Sequence, residues 1–488
     1  MRIRTLAIDH ASADVLLLLA RALDARGHDC EGWVYNHNPA VREQMRDELV
    51  EAGLAARVMT VMSQPPLPEV NEVLADRTYR LRDRAALFLV SAGLAAIVRV
   101  AVRPRYARFR PIARAGRRIR AFLLMQIRDR RYAERLLDED RPDAIIMGHD
   151  YVGHFSNVVC REARRRRIPL VLSPGLIPNR EQLASRLASR EHHQVSNPRQ
   201  KLIARLWPKW VVKVDGQRIL RLEWWRILVL ELIGLSSPAP WVHQSGRFDA
   251  VFLADESEKK RYAALGFTPE KLIVTGSLTG DALALPVPGA GEGKPLLAVA
   301  VPPQQARVEG RSDAGEHHVE RLNELRTLLE AVSEYFSIRL ARHPREAAEI
   351  SAPLAEAGFQ FTEGSTLHLV RQADLFLSYV GSSTLRWGLW RGIPTFAWDA
   401  YGYEAAARAS GDIADDAAPG YDVHLLARTL PRAMRQAMTP AGLQAWRERM
   451  RPYVRPREQS AAARIEHHVV QLRIDRGRYF ARLSPGAE

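Results

Sequence analysis

Cysteine is almost absent from this sequence. Among 488 residues there are two, Cys30 and Cys160, and neither belongs to a Cys-x-x-Cys pair or a Cys/His cluster. That excludes a disulfide-stapled scaffold and a cysteine zinc site, and it suits a reducing cytoplasm. Long apolar runs are lacking too. One stretch, residues 85–102, comes near, but Ser91 and Arg99 interrupt it. It falls short of the roughly 20 apolar residues a spanning helix needs. It reads first as a buried helix, then as one lying at a membrane surface, with a true span as the remaining alternative. The first ten residues have no secretory apolar core and read as a strand. No short-period repeat is visible.

What is present is an ordinary folded composition, 47% apolar and 26% charged, with a formal net charge of +15. Disorder is excluded, and the length implies two or three domains. Arginine carries nearly all of the excess charge. Residues 103–141 hold a dense series of arginines, and Arg164, Arg165, Arg166 and Arg167 form a second run. Two readings stay open. One is contact with an anionic partner: phospholipid headgroups, nucleic acid or an acidic glycan. The other is a solvated helix face.

The chain alternates short apolar runs with longer helical segments. Strand, helix and strand fit residues 4–9, 15–26 and 30–35, the opening of a parallel α/β sheet. Further strands fit residues 141–150, 168–173, 250–255 and 271–276. Between them, residues 59–140 read as mostly helical and basic. Residues 199–235 place four tryptophans (Trp207, Trp210, Trp224, Trp225) on helical spacing. A Pro/Gly stretch, residues 286–295, reads as a linker. A second α/β series follows, with strands at 296–301, 337–341, 374–378 and 393–397. The expected domains are therefore 1–285, 296–430 and a helical tail, 431–488.

In open parallel sheets, ligands bind beyond the carboxyl ends of the strands. Three places qualify. Gly381, Ser382, Ser383 and Thr384 lie between a strand and a helix, where small residues, hydroxyls and a helix N-terminus suit a phosphate. The same residues also serve as ordinary helix caps. Arg342, His343 and Arg345 follow another strand and suit a phosphate or a base edge; a surface turn at Pro344 is the alternative. In the first half, His149 and Asp150 follow a strand, with Asp9 and His10 as a rival pair. Either could supply a general base, and either could be a structural partner.

The combination resembles a family. Val251 to Asp281 is similar to the strand–helix–strand that closes the N-terminal domain of many GT-B glycosyltransferases. Arg342–His343–Pro344 resembles the His-Pro motif of capsular-polysaccharide transferases. The run from Ala373 to Pro394, with Gly381–Ser382–Ser383–Thr384 at its centre, resembles their Ser-Ser/Thr motif. The likeness spans residues 251–398 and is poor over 59–140 and 199–244. It implies a GT-B fold: two Rossmann-like domains facing a cleft, with a largely helical basic insertion in the N-terminal half. It implies donor contacts from His343, Ser382, Ser383 and Thr384, with Glu404 as a weaker one; Arg345 and Gly381 join them from their places just after the strands. The acidic Gly-containing motif of bacterial sialyltransferases is missing, so the resemblance assigns no base.

The resulting expectation is a transferase that uses a nucleotide-sugar donor as substrate, with no cofactor. The acceptor would be a glycan or a lipid-linked glycan. Asp150, His149 or His10 would take the proton. No metal is expected, and no Asp-x-Asp pair is read as holding one. The expected location is the cytoplasm, with residues 103–141 facing the inner surface of the plasma membrane. Nucleic acid is not an expected partner, since no reader motif is present. Two rivals stand beside this. One is a CDP-glycerol-type polyol-phosphate transferase of the same architecture. The other is a non-catalytic scaffold in envelope-polysaccharide assembly.

Overall fold

Apolar runs of three to six residues become buried parallel strands, and the longer segments between them become crossover helices. In the computed structural model of the chain, the described residues are 1–7, 10–34, 59–61, 66–76, 78–101, 110–174, 183–184, 187–188, 190–214, 216–241, 247–283, 293–302, 318–342, 351–362, 366–379, 382, 384–398, 430–450 and 460–483. The chain divides into two units. The first comprises Met1–Leu253, Tyr262–Thr275 and Ala462–Glu488; the second comprises Ala254–Arg261 and Gly276–Ala461.

The first unit begins β1 (Arg2–Ala7), α1 (His10–Asp24), β2 (Asp29–Val34) and β3 (Met59–Val61). A helical insertion follows: α2 (Val70–Ala75), α3 (Leu81–Ala101) and α4 (Arg110–Asp140). The sheet resumes with β4 (Ala144–Met147), α5 (Phe155–Arg165) and β5 (Leu170–Leu172). Next come α6 (Pro198–Leu206), β6 (Val211–Val214), β7 (Gln217–Leu220) and α7 (Trp224–Leu232). The series ends with β8 (Ala250–Leu253), α8 (Glu256–Ala264) and β9 (Leu272–Val274). The sheet order is β3-β2-β1-β4-β5-β8-β9, and every pair is parallel. Strands β4, β5 and β8 are buried along their whole length. Helices on both faces of a parallel sheet produce that burial, which is why these strands read as unbroken apolar runs.

The second unit contains α9 (Leu278–Leu283), β10 (Leu296–Ala300), α10 (His318–Val332), β11 (Ser337–Ala341), α11 (Ala352–Glu356) and β12 (Gln360–Phe361). It continues with α12 (Thr366–Gln372), β13 (Leu375–Tyr379), α13 (Leu385–Arg391), β14 (Thr395–Trp398), α14 (Leu430–Ala437) and α15 (Pro440–Met450). Its sheet order is β12-β11-β10-β13-β14, again all parallel. The last helix, α16 (Ala461–Leu483), belongs to the first unit from Ala462 onward.

Both sheets have the doubly wound order, and each reverses beside its first strand: between β1 and β4, and between β10 and β13. The chain is thus α/β with two Rossmann-like units, the architecture of the GT-B class, and a helical insertion between β3 and β4.

Three expectations change. The stretch at 199–235 is not simply helical. It contains an antiparallel hairpin, β6–β7, turned at Gly216 with φ 78°. The linear domain cut is also altered. Residues 254–261 and α9 join the second unit, where α9 packs on α12 and α13, while most of α16 joins the first. Of the linker, residues 286–292 lie outside the described residues.

The arginines supply the third change, because many point inward. Arg130, 2% exposed, pairs with buried Asp83 and donates to the Ile233 carbonyl at 2.6 Å. Arg128 pairs with Asp129 at 2.7 Å. Buried Glu162 accepts from Arg80 at 2.6 Å, from Arg166 at 3.2 Å and from Arg165 at 3.3 Å. Buried charges survive only when paired in this way. Within the basic stretch, Arg128 and Arg130 are therefore internal structure.

Candidate functional site

In the first unit the sheet reverses between β1 and β4, with Leu6 paired to Met147 near their carboxyl ends. The residues after these two strands are the ones a ligand at this crevice would meet. His10 opens α1 directly after β1; its side chain and Asp9 lie outside the described residues. His149 and Asp150 follow β4. His149 is 6% exposed and its ring lies 4.0 Å from that of Tyr151, centroid to centroid. Asp150 is fully buried. It acts on two buried neighbours. Burial, and then the Asp150 charge, push the Cys160 thiol well up. Burial lowers the Arg247 guanidinium, and Asp150 opposes that shift. Arg247 also donates to Asn157 Oδ1 at 2.7 Å and to the Ser236 carbonyl. Asp150 therefore sits in a buried, charge-compensated setting.

In the second unit the reversal lies between β10 and β13. Strand β13 is buried throughout and brings Ser378 to its carboxyl end. The Ser378 hydroxyl lies 3.1 Å from Thr384 Oγ1, and Ser382 Oγ lies 2.8 Å from the same atom. The Thr384 amide donates to Ser382 Oγ at 3.3 Å, and the Ser382 amide donates to the Tyr379 carbonyl at 3.1 Å. Three hydroxyls are thus linked at the sheet edge, one on β13 and two just after it. Gly381 and Ser383 lie outside the described residues.

Strand β11 is on the far side of β10, so its carboxyl end is two strand spacings, about 10 Å, from that of β13. Arg342 follows β11. It stacks over Phe361, 4.1 Å from the ring centroid, and donates to Ser351 Oγ at 2.9 Å. His343, Arg345 and Glu404 lie outside the described residues.

Helix α13, which follows the hydroxyl turn, has seven residues. That is about two turns, so hydroxyls and turn amides, rather than a long aligned dipole, are what this position offers an anion. Two features fix the helix. Gly388 lies so close to β14 that a Cβ there would run into the Thr395 side chain. Arg386 pairs with Glu258 and lies 3.8 Å from Asp255. Glu258 is 8% exposed, and burial pushes its carboxyl up while Arg386 pulls it back. Its other oxygen accepts the Ala254 amide at 2.7 Å.

Sequence reasoning named Ser382 and Thr384 but missed Ser378, Arg386 and Glu258. A serine closing an apolar strand was a usable signal for the first. The ion pair spans 128 positions and leaves no local trace. An Asp-x-Asp spacing does occur once, at Asp138 and Asp140. Arg166 takes Asp138 at 2.7 Å and Arg4 takes Asp140 at 2.7 Å, so both carboxylates already serve ion pairs.

No family model and no curated protein matches this sequence. Several solved structures are similar in fold. The UDP co-structure of Staphylococcus aureus MnaA shares 11% identity at a TM-score of 0.48, covering 100% of this chain and 99% of that one. The calicheamicin glycosyltransferase CalG4 shares 16% at 0.47, covering 99% and 100%. MurG from Acinetobacter baumannii shares 12% at 0.41, covering 97% and 99%. Identities this low say nothing of chemistry, and the fold assignment rests on the two strand orders.

Proposed function

We propose that the chain is a glycosyltransferase that moves a sugar from a nucleotide-activated donor to a surface-polysaccharide or lipid-linked acceptor, as in capsule biosynthesis. One observation carries the reading. The linked hydroxyls of Ser378, Ser382 and Thr384 stand at the carboxyl end of β13, beside the reversal of the second sheet. That is where doubly wound sheets bind nucleotides.

The donor phosphates accept hydrogen bonds from these hydroxyls and the turn amides. Gly381, Ser383, His343, Arg345 and Glu404 complete the donor site in this reading. The acceptor is held by the first unit. Its hydroxyl oxygen bonds to the anomeric carbon as the bond from that carbon to the donor phosphate breaks, and the nucleotide leaves. A residue after β1 or β4, Asp150, His149 or His10, takes the acceptor's proton. The hydroxyls stabilise the charge that develops on the departing phosphate. The donor is a substrate, and the reading includes no resident cofactor or metal.

The test is a thermal-shift screen with CMP, CDP, UDP and GDP. A nucleotide at 100 times its dissociation constant stabilises the folded state by about 2.7 kcal/mol, which raises the melting temperature by several degrees. Ser382→Ala with Thr384→Ala is expected to abolish that rise. If no nucleotide raises the melting temperature, or the double variant responds like the wild type, the reading fails.

A further inference from the structure

Helix α3 presents a stripe of large apolar side chains to solvent. Leu81 is 78% exposed, Phe88 60% and Leu89 66%. Ala85 and Ala92 are also exposed, so the spacing runs along one helical face. The opposite face is buried: Asp83 pairs with Arg130 of α4, and Ala86 and Leu87 lie in the core. Helices α4 and α7, which both pack on α3, carry aromatic and basic groups. Phe122 of α4 meets Trp225 of α7 edge-on at 5.5 Å, and the exposed Arg226 lies over both rings, at 5.5 and 5.2 Å. Half-buried aromatics under an arginine are typical of groups that sit between water and hydrocarbon.

Charge narrows the choice of partner. Residues 84–128 contain eleven arginines and no aspartate or glutamate. Arg117 and Arg118 of α4 are exposed. A second copy of the chain, meeting this face with the same face, would oppose arginine to arginine. A nucleic-acid backbone would match the charge but leave Phe88 and Leu89 in water. An anionic bilayer answers both, with headgroups for the arginines and acyl chains for the stripe.

We propose that α3 docks this protein on anionic membrane, with Leu81, Phe88 and Leu89 entering the headgroup–acyl boundary. The contact is made by the exposed face of α3 with Arg117 and Arg118, and Arg128 and Arg130 take no part because they are committed to internal pairs. The proposal goes beyond the donor site and does not depend on it.

Flotation of the full chain with phosphatidylcholine vesicles, with and without roughly 30% phosphatidylglycerol, tests it. Binding is expected with the anionic vesicles and only weakly with the neutral ones. Phe88→Glu with Leu89→Glu should lower the partition coefficient about tenfold or more. Arg117→Glu with Arg118→Glu should lower it too and flatten its salt dependence. Far-ultraviolet melting checks each variant, and Phe88→Ser with Leu89→Ser replaces the glutamate pair if that pair melts early. Equal binding to neutral and anionic vesicles would overturn the proposal, and so would undiminished flotation of the Phe88/Leu89 variants. A dimer that these variants disrupt, or binding to duplex DNA without binding to vesicles, would also overturn it. The vesicles carry no nucleotide, so failure here leaves the donor reading standing, and failure of the nucleotide screen leaves this one.

Discussion

Glu258 holds a carboxylate where water scarcely reaches. Burial pushes it up, and the Arg386 guanidinium restrains that rise. In Arg386→Met only the first effect remains, and the folded-state pKa stands further above the unfolded value of about 4.3. A carboxylate raised on folding gives stability that is full below the unfolded pKa and is lost as pH rises through the folded one. Arg386→Met should therefore lie close to the wild type near pH 4.5 and fall below it by roughly 3 kcal/mol at pH 8. Urea unfolding at both pH values decides. An equal deficit at each would mean that the arginine supplies packing rather than charge. The same pair shows which residues a sequence can announce. Ser382 and Thr384 are legible because strand, turn and helix are adjacent in the chain. Glu258 reads like any first-turn acid of an exposed helix, and Arg386 like any surface arginine. Nothing nearby records that they meet.

Helix α13 shows how an element is held. It lies against β13 and β14, and Gly388 is its point of closest approach. A Cβ there would come within 3.0 Å of Phe376 Cδ1 and collide with Thr395, which is fully buried and donates to the Ile393 carbonyl at 3.0 Å. Helix propensity alone favours Gly388→Ala by up to about 1 kcal/mol. Overpacking costs about 1–3 kcal/mol, so the variant should be destabilised, and the sign of the change in urea unfolding tells which effect rules. Thr384 immediately precedes the helix, so the nucleotide-induced thermal shift should shrink as well. Elements of this kind were readable from apolar runs punctuated by glycine. The β6–β7 hairpin was readable too, since Val214-Asp215-Gly216-Gln217 carries the Asp-Gly signature of a tight hairpin. The tryptophans around it suggested a helical period; Trp224 and Trp225 do open α7, but residues 211–214 and 217–220 are strand. Trp210 is buried just before β6, its indole donating to Glu231 at 2.6 Å, and it packs by position rather than by period.

At the scale of the whole chain, alternating strands and helices disclosed two α/β halves, but not that the chain returns. The pattern of α16 shows that one face packs without showing on what. The structure supplies the partner. Glu466 pairs with Arg26 and with His28, the latter at 2.7 Å, and Arg473 pairs with Asp143 at 2.8 Å. Ile465 and Val469 are buried. A fragment ending at residue 285 therefore lacks part of its own unit, and should be less soluble and melt lower than the same fragment supplied with residues 460–488. The clasp also predicts a pH response. Burial alone would raise the Glu466 carboxyl, but hydrogen bonds from His28 and Arg26 outweigh it and hold the group below its ordinary value. A carboxylate depressed on folding gives stability that is present above the unfolded pKa, about 4.3, and is lost as pH falls through the folded value. Glu466→Gln should accordingly be less stable than the wild type at pH 6, and the gap should close in the acid range below about pH 4. If the gap stays constant down to pH 3, the residue holds α16 through its shape and not through its charge.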